Sequence, residues 1–152
     1  MNNHSLKVGV VQQAVASNDK NINWARSAEQ VSALAAQGCE LVMLQELHST
    51  LYFCQQENTA HFDLAEPIPG AASDYFAALA AKLDIVLITS LFEKRGSGLY
   101  HNTAVVFDRQ QGLVGKYRKM HIPDDPGFYE KFYFTPGDLG FEPIQTSVGK
   151  LG

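Results

Sequence analysis

Residues 41–46 read Leu41-Val42-Met43-Leu44-Gln45-Glu46, an uninterrupted apolar run that ends in an amide and a carboxylate. A short run of this kind is typical of a strand in a sheet that is covered on both faces. In open α/β sheets, ligands bind just beyond the carboxyl ends of the strands. The stretch therefore predicts a buried strand and places Glu46 where a functional site is expected.

The segments on either side of this strand alternate between strand and helix patterns. Residues 6–11 are rich in β-branched side chains and predict a first strand. Apolar residues recur every three or four positions through 20–37, between the capping residue Asp19 and the stop signal Gly38, which predicts a helix. A second helix is expected with Ser73 as its cap.

The second half of the chain is richer in strand patterns. A buried strand is expected over 85–89, and hairpins are expected to connect the segments 91–93, 100–107 and 113–119. The turn-rich stretches 48–70 and 120–140 are predicted to be mostly loop. Alternating strands and helices followed by hairpins predict an α/β layered fold with mixed strand directions.

The composition is that of a folded, mildly acidic protein. The 152 residues include 12 Lys and Arg against 16 Asp and Glu, a formal charge of −4, and 45% of them are hydrophobic. The length predicts one domain, and the apolar content argues against intrinsic disorder. The acidity argues against a nucleic-acid or anionic-membrane partner, because such partners attract basic surfaces.

Membrane segments, targeting signals and disulfides are not expected. No apolar stretch approaches the roughly 20 residues that a membrane-spanning helix requires, and the polar residues 1–5 are not typical of a signal peptide. The cysteines, Cys39 and Cys54, cannot form a disulfide framework. This cysteine usage favours a reducing, cytoplasmic setting.

Glu46 is the first candidate for chemistry. Strand alternation would place Val42, Leu44 and Glu46 on one face, so that the carboxylate extends an apolar row. Apolar surroundings raise the pKa of a carboxylate and suit a general base. The alternative is a solvated charge at a strand end, which is the commoner case for this spacing.

Lys119 is the second candidate. In the predicted strand 113–119, Tyr117 and Lys119 share one face, whereas Lys116 and Arg118 share the other. A lysine beside an aromatic ring and before a Pro-rich loop is in a position to be held as a fixed positive charge. The alternative is a solvated basic cluster of the three cations, and phosphate binding is disfavoured because no Gly-rich loop precedes a helix here.

Metal and cysteine chemistry have weaker support. The histidines available to a metal follow no zinc spacing, so no metal site is predicted; they are His48, His61, His101 and His121. A lone cysteine after aromatic residues, such as Cys54, is more often a small buried hydrophobic residue than a nucleophile. Cys39 is expected to pack in the core. No Gly-x-Ser-x-Gly elbow occurs, which disfavours a serine hydrolase of that type.

The sequence around these two charges resembles a known family. Leu41-Val42-Met43-Leu44-Gln45-Glu46-Leu47-His48 and Tyr117-Arg118-Lys119-Met120-His121-Ile122-Pro123 resemble the glutamate and lysine segments of the nitrilase, or carbon-nitrogen hydrolase, superfamily. Residues 124–138 and Leu51-Tyr52-Phe53-Cys54-Gln55 are similar to its N-carbamoylputrescine amidohydrolase branch. The resemblance extends from Lys7 through the rest of the chain. It implies the nitrilase α-β-β-α sandwich, of which this chain forms roughly the first half.

The resemblance also implies a Glu-Lys-Cys mechanism. Glu46 corresponds to the general base that takes the thiol proton, and Lys119 corresponds to the cation that stabilises the oxyanion. Glu130 matches the second glutamate of the family, which orients the lysine. A cysteine attacks the carbamoyl carbon, expels ammonia and leaves an acyl enzyme that water cleaves. This chemistry needs neither a metal nor an organic cofactor.

The nucleophilic cysteine of the family has no counterpart in the 152 residues. In the family it follows a strand with an approach like Gly149-Lys150-Leu151-Gly152, where this chain ends. Neither Cys39 nor Cys54 has the matching context. We therefore expect residues 1–152 to be the N-terminal part of a single carbon-nitrogen hydrolase domain, inactive by itself.

The substrate that the resemblance implies is N-carbamoylputrescine, with putrescine, carbon dioxide and ammonia as products. A cationic amine tail favours a carboxylate and aromatic walls, for which Asp125, Tyr52 and Phe128 are the candidates. Asp125 could instead simply shape a turn with Pro126-Gly127.

Two other functional interpretations of the sequence stay open. One alternative is another amidase of the superfamily, such as a β-ureido acid amidohydrolase or an aliphatic amidase. A second is a non-catalytic binding module in which Glu46 and Lys119 form a structural ion pair. The resemblance further implies that the protein is a homo-oligomer.

Overall fold

A five-stranded sheet forms the centre of the fold in a computed structural model of the chain, which describes residues 5–152. Residues 1–4, most of the polar stretch at the start, lie outside this range. The strands, in spatial order, are β1 (Val8–Val10), β2 (Leu41–Met43), β3 (Val86–Gly96), β4 (Leu99–Asp108) and β5 (Gly112–Arg118). The first three are parallel, and β4 and β5 are each antiparallel to the preceding strand. The predicted mixture of strand directions is confirmed.

The parallel strands are connected by α1 (Lys20–Ala36) and α2 (Ala71–Leu83). The Asp19 side chain caps α1 by accepting a hydrogen bond from the Asn21 N–H at 2.8 Å. The predicted start of α2 is wrong, because Gly70 is its N-cap and the Ser73 hydroxyl, inside the first turn, binds the Gly70 backbone. Among residues 5–152, no helix combines the length and the apolarity needed to cross a membrane.

The largest part of the core lies between these helices and one face of the sheet. Phe76 of α2 and Phe107 of β4 are fully buried in it. Burying one such side chain is worth about 1.5–3 kcal/mol. Alternate strand residues complete this layer: Val42, Leu44, Leu87, Leu91 and Val105. The layer holds in place the strands whose ends carry the candidate site.

The opposite face of the sheet is only partly covered by the described residues. A hairpin of β6 (Ile144–Thr146) and β7 (Gly149–Leu151) packs on Val86 and Val106. Met43 lies on this face and is exposed. The prediction that strand 41–44 is covered on both faces is therefore wrong for Met43, since no described segment packs over it.

A second, aromatic cluster orders the two long connections. Phe53 stacks on Phe92 with a centroid distance of 4.9 Å and meets Tyr133 edge-on at 5.0 Å. These contacts support a 3₁₀ helix (Thr59–Leu64) and a short helix, α3 (Glu130–Tyr133). Both helices lie in stretches predicted to be mostly loop. Long-range aromatic packing, rather than a local helical pattern, thus holds the segment that contains Glu130.

A buried ion pair connects β3 and β5 on the helix-covered face. Arg118 donates to both carboxylate oxygens of Glu93 at 2.7 Å, and the two side chains are only 5% and 2% exposed. Burial raises the pKa of Glu93, but hydrogen bonds from Arg118, Lys116 and Thr103 outweigh it and hold this pKa at about 2. Lys116 and Arg118 are thus not the solvated basic cluster that the sequence left open.

The Glu93→Gln variant is expected to destabilise the protein by about 3–5 kcal/mol at pH 7, because Arg118 stays buried without its counter-charge. The pKa of Glu93 is lowered from 4.5 to about 2, so the stabilisation is present above pH 4.5 and is lost as the pH falls toward 2. The difference in the free energy of unfolding between the wild type and Glu93→Gln should therefore become smaller between pH 4.5 and pH 2. Urea unfolding at pH 7 and pH 3 measures it.

A matched control is Glu40→Gln, since Glu40 is partly exposed and its ion pair with Arg109 is long, at 3.9 Å. It should change the unfolding free energy by less than about 0.5 kcal/mol. If Glu93→Gln lowered the free energy of unfolding as much at pH 3 as at pH 7, the ionised Glu93 carboxylate would not be the source of the stabilisation.

Candidate active site

A sharp turn after β2 directs Glu46 out of the strand. β2 ends at Met43, and Leu47 adopts a left-handed φ of 49°, which costs a non-glycine residue about 1–2 kcal/mol. The Leu47 N–H donates to Ser90 Oγ at 3.1 Å, which holds the turn. The sequence prediction that Glu46 extends the apolar row of Val42 and Leu44 is wrong, because the strand ends first and the Glu46 side chain is 53% exposed.

Lys119 follows directly after β5 and is held at its backbone and at its ammonium. Its N–H donates to the Asn102 carbonyl and its own carbonyl accepts from the Gly137 N–H, both at 2.9 Å. Its Nζ donates to Glu46 Oε1 and to Glu130 Oε2, again at 2.9 Å each. The lysine therefore bridges the two glutamates that the sequence singled out.

These two bonds keep Lys119 charged. Burial by itself lowers the pKa of Lys119, but the hydrogen bonds to Glu130 and Glu46 and their negative charges outweigh it, so the pKa lies above its ordinary value. An ammonium has three N–H donors, of which the two glutamates use two. One donor remains for a further acceptor.

The two glutamates differ in what their oxygens do. Glu130, on α3, is buried, and its oxygens accept from Tyr52 and Lys119 at 2.9 Å each. Glu46 uses only Oε1, which accepts from Lys119 and from Asn102; no described residue donates to Oε2. Glu130 is therefore an anchor for the lysine, whereas Glu46 keeps an oxygen that can take a proton.

These groups border a pocket on the open face of the sheet, with a volume of about 410 Å³. Polar groups stand along one part of its lining, among them Glu46, Asn102 and Lys119. The remainder of the lining is mainly apolar and includes Ile88 and Ala104. A concave, mainly apolar surface with a few converging polar groups is typical of a small-molecule site.

The three residues predicted to bind substrate lie in two loops beside Glu130. The Tyr52 and Phe128 rings are 5.9 Å apart, and the Tyr52 hydroxyl donates to Glu130. Burial and this hydrogen bond raise the pKa of Tyr52, so the phenol stays a donor. Phe128 N–H donates to the Asp125 carbonyl at 2.8 Å, with Gly127 at φ 82° between them. The expected turn is thus present, and the Asp125 side chain is exposed.

Both cysteines of the chain are buried. Cys54 is fully buried next to Tyr52, and burial together with the Glu130 charge raises the pKa of its thiol to about 12. A thiol with that pKa is protonated at neutral pH and reacts poorly. Cys39 is buried between the helices and the sheet, as expected.

Three of the four histidines considered as metal ligands, His48, His61 and His101, make separate hydrogen bonds. His48 is buried and lies 2.6 Å from Thr89 Oγ1, and burial lowers its pKa to about 4. His61 contacts Tyr133, and His101 contacts the Thr135 carbonyl. Within the described part of the chain, no three His, Cys, Asp or Glu side chains are grouped so as to hold a metal ion.

Two residues of the site were not among the candidates predicted from the sequence. Asn102 donates from Nδ2 to Glu46 Oε1 at 2.6 Å, and Ser90 donates to Asn102 Oδ1 at 3.3 Å. Asn102 is a polar residue inside a predicted strand and Ser90 directly follows one, which is the signal that could have drawn attention to them. Their partners are far away in the sequence, so the pattern alone does not show what they bind.

Comparison with solved structures defines the class of fold. A member of the nitrilase superfamily from Saccharomyces cerevisiae superposes with a TM-score of 0.78 at 27% identity, over 97% of this chain and 54% of the other. A carbon-nitrogen hydrolase from Helicobacter pylori G27 superposes with a TM-score of 0.91 at 54% identity, over 98% and 51%. The nitrilase-type fold expected from the sequence is confirmed.

Sequence comparison identifies the family. Residues 7–152 match the model of the carbon-nitrogen hydrolase family. This chain belongs to that family. A citrullinase from Francisella tularensis is 38% identical over 97% of this chain and 51% of its own length. An N-carbamoylputrescine amidase from Solanum lycopersicum is 36% identical over 99% and 50%. The chain spans about half the length of these curated relatives.

The high pKa of Cys54 leads to a labelling prediction. In the folded protein at pH 8, iodoacetamide should modify Cys54 on the order of 1,000-fold more slowly than a free cysteine, because the thiolate fraction falls with the rise in pKa from about 8.5 to about 12. Mass spectrometry of the peptide that contains Cys54 gives the rate. The same protein in guanidinium chloride is the control and should react at the rate of a free thiol. Rapid modification of the folded protein would show the thiol to be activated.

Proposed function

We propose that this chain supplies the base and the oxyanion-binding part of a carbon-nitrogen hydrolase that cleaves the carbamoyl amide of N-carbamoylputrescine. The observation that carries the proposal is the Lys119 ammonium between Glu46 and Glu130, at the edge of a pocket. Relatives at 36% and 38% identity, named N-carbamoylputrescine amidase and citrullinase, support hydrolysis of a carbon–nitrogen bond.

In the proposed reaction, a cysteine thiol loses its proton to Glu46 and attacks the carbamoyl carbon. Oε2 is the acceptor, since Oε1 already holds Asn102 and Lys119. The third N–H of Lys119 donates to the oxyanion of the tetrahedral intermediate, where a preorganised donor counts most. Ammonia leaves with the proton from Glu46. Water then cleaves the carbamoyl thioester to a carbamate, which decomposes to putrescine and carbon dioxide.

We infer that the nucleophile comes from outside the 152 residues. Both cysteines within them are buried, and the pKa of Cys54, at about 12, opposes thiolate formation. Residues 1–152 are then the N-terminal part of a single hydrolase domain that is completed by further sequence. The chain by itself should release no ammonia from N-carbamoylputrescine.

The charges near the site favour a cationic substrate tail. Lys116 and Arg118, the cations nearest to Lys119 in the sequence, are bound to Glu93 on the other face of the sheet. Asp125 and Phe128 are exposed and lie in the loop that leads into Glu130. A carboxylate and an aromatic face are the groups that attract an ammonium.

The second candidate substrate is citrulline, favoured by the relative named citrullinase at 38% identity. Citrulline and N-carbamoylputrescine both present a carbamoyl amide, but citrulline ends in an α-amino acid. Its carboxylate requires a cation in the pocket, as the carboxylate of a β-ureido acid also does. Comparing kcat/KM for N-carbamoylputrescine, citrulline and 3-ureidopropionate therefore separates these alternatives.

The role of Glu46 is tested with Glu46→Gln in the complete gene product. Loss of the general base should lower kcat for N-carbamoylputrescine by about 10²- to 10⁴-fold with little change in KM. Ammonia release measures both. Glu40→Gln, distant from the pocket, is the matched control and should keep wild-type kinetics. Wild-type kcat in Glu46→Gln would contradict the proposal. So would a wild-type protein that hydrolyses none of N-carbamoylputrescine, citrulline and 3-ureidopropionate.

The role of Asp125 is tested with Asp125→Asn. Loss of the carboxylate should raise KM for N-carbamoylputrescine by roughly tenfold, the effect of about 1.4 kcal/mol, and leave kcat nearly unchanged. Butylurea, which lacks the ammonium, should be hydrolysed equally well by the variant and the wild type. Asp124→Asn is the neighbouring control. An unchanged KM would restrict Asp125 to shaping its turn.

A further inference from the structure

Asn102 connects the two residues on which the proposed chemistry depends. It lies within β4, and the residue is 3% exposed. Its Nδ2 donates to Glu46 Oε1 at 2.6 Å, and its backbone carbonyl accepts from the Lys119 N–H at 2.9 Å. One residue therefore holds the side chain of the proposed base and the backbone of the proposed oxyanion donor.

Ser90 determines which end of the Asn102 amide points toward Glu46. The Ser90 hydroxyl donates to Asn102 Oδ1 at 3.3 Å and accepts from the Leu47 N–H at 3.1 Å. With Oδ1 engaged, only Nδ2 remains for the carboxylate. The reversed amide would bring two oxygen acceptors together at Glu46 and leave the Ser90 hydroxyl without its acceptor.

Glu46 requires such a contact, because the rest of its surroundings hold it weakly. Its side chain is 53% exposed and follows a strand that has already ended. A half-exposed ion pair such as Glu46–Lys119 contributes little by itself to fixing a long side chain. The bond from buried Asn102 is charge-assisted, and its donor sits on a central strand, so it selects one position for the carboxylate.

We propose that Asn102, oriented by Ser90, is a positioning residue that occupies Oε1 of Glu46 and leaves Oε2 as the proton acceptor. The inference rests on the function proposed above for Glu46 and Lys119. Asn102 acts through Glu46 and does not itself contact the reacting atoms. Removal of the Asn102 side chain should therefore lower kcat only when the Glu46 carboxylate is present.

A double-mutant cycle in the complete gene product tests this dependence. Asn102→Ala should lower kcat roughly 10- to 100-fold, with KM changed less than about threefold, since a small displacement of the base is enough to cost such a factor. In the Glu46→Gln background, the same substitution should change the residual kcat less than about threefold. Equal fold losses in the two backgrounds would overturn the proposal, because a purely structural effect multiplies.

Matched variants separate positioning from folding. Asn23→Ala removes another buried amide, 2% exposed, that donates to the Ser17 and Ser49 carbonyls away from the pocket. It should lower the melting temperature while leaving kcat at the wild-type value. Should Asn102→Ala not fold, Asn102→Asp takes its place in the cycle, since it keeps the shape but turns an acceptor toward Glu46. Wild-type kcat in either Asn102 variant overturns the proposal.

The outcomes also distinguish this inference from the proposed function. If Glu46→Gln keeps wild-type activity, the proposed function fails and the positioning role fails with it. If Glu46→Gln is strongly impaired and Asn102→Ala acts independently of it, only the positioning role fails. Ser90→Ala should give a smaller loss of kcat than Asn102→Ala, because the amide donor is kept and only its orientation is released.

Discussion

The site depends on one ammonium held between two carboxylates. Lys119 is partly buried, and a buried cation is tolerated only with paired charges. Its partners Glu46 and Glu130 lie 73 and 11 positions away in the sequence, on the turn after β2 and on α3. Three separate elements must therefore converge for the charges to balance.

The two glutamates differ in burial and in the hydrogen bonds that their oxygens accept. Glu130 is buried with both oxygens occupied, whereas Glu46 is half-exposed with one oxygen free of described donors. Two sets of contacts outside the pocket hold Lys119 and Glu130 in place. The Glu93–Arg118 pair holds the end of β5 from the other face of the sheet, and the aromatic cluster around Phe53 holds α3. A site with a defined geometry needs such support, because small displacements cost large factors in rate.

Local patterns predicted the elements that are stabilised locally. The helix at α1 and the hairpins of β3, β4 and β5 followed from periodicity and turn residues, although β3 proved to be one continuous strand from Val86 to Gly96. The helix α3 was missed because aromatic contacts from distant segments stabilise it. The direction of Glu46 was also missed, since the left-handed turn at Leu47 is held by Ser90, 43 positions away.

The periodicity of the sequence determined the α/β class and the candidates Glu46 and Lys119, because periodicity is a property of neighbouring residues. The family and the candidate Glu130 came from the resemblance of its motifs to those of the carbon-nitrogen hydrolases. Only the tertiary structure decided which carboxylate oxygen each donor occupies, that Asn102 and Ser90 take part, and that Lys116 and Arg118 are committed to Glu93. These are hydrogen bonds between residues far apart in the chain. They depend on strand register and on where each strand ends, and both are set by packing in the folded sheet.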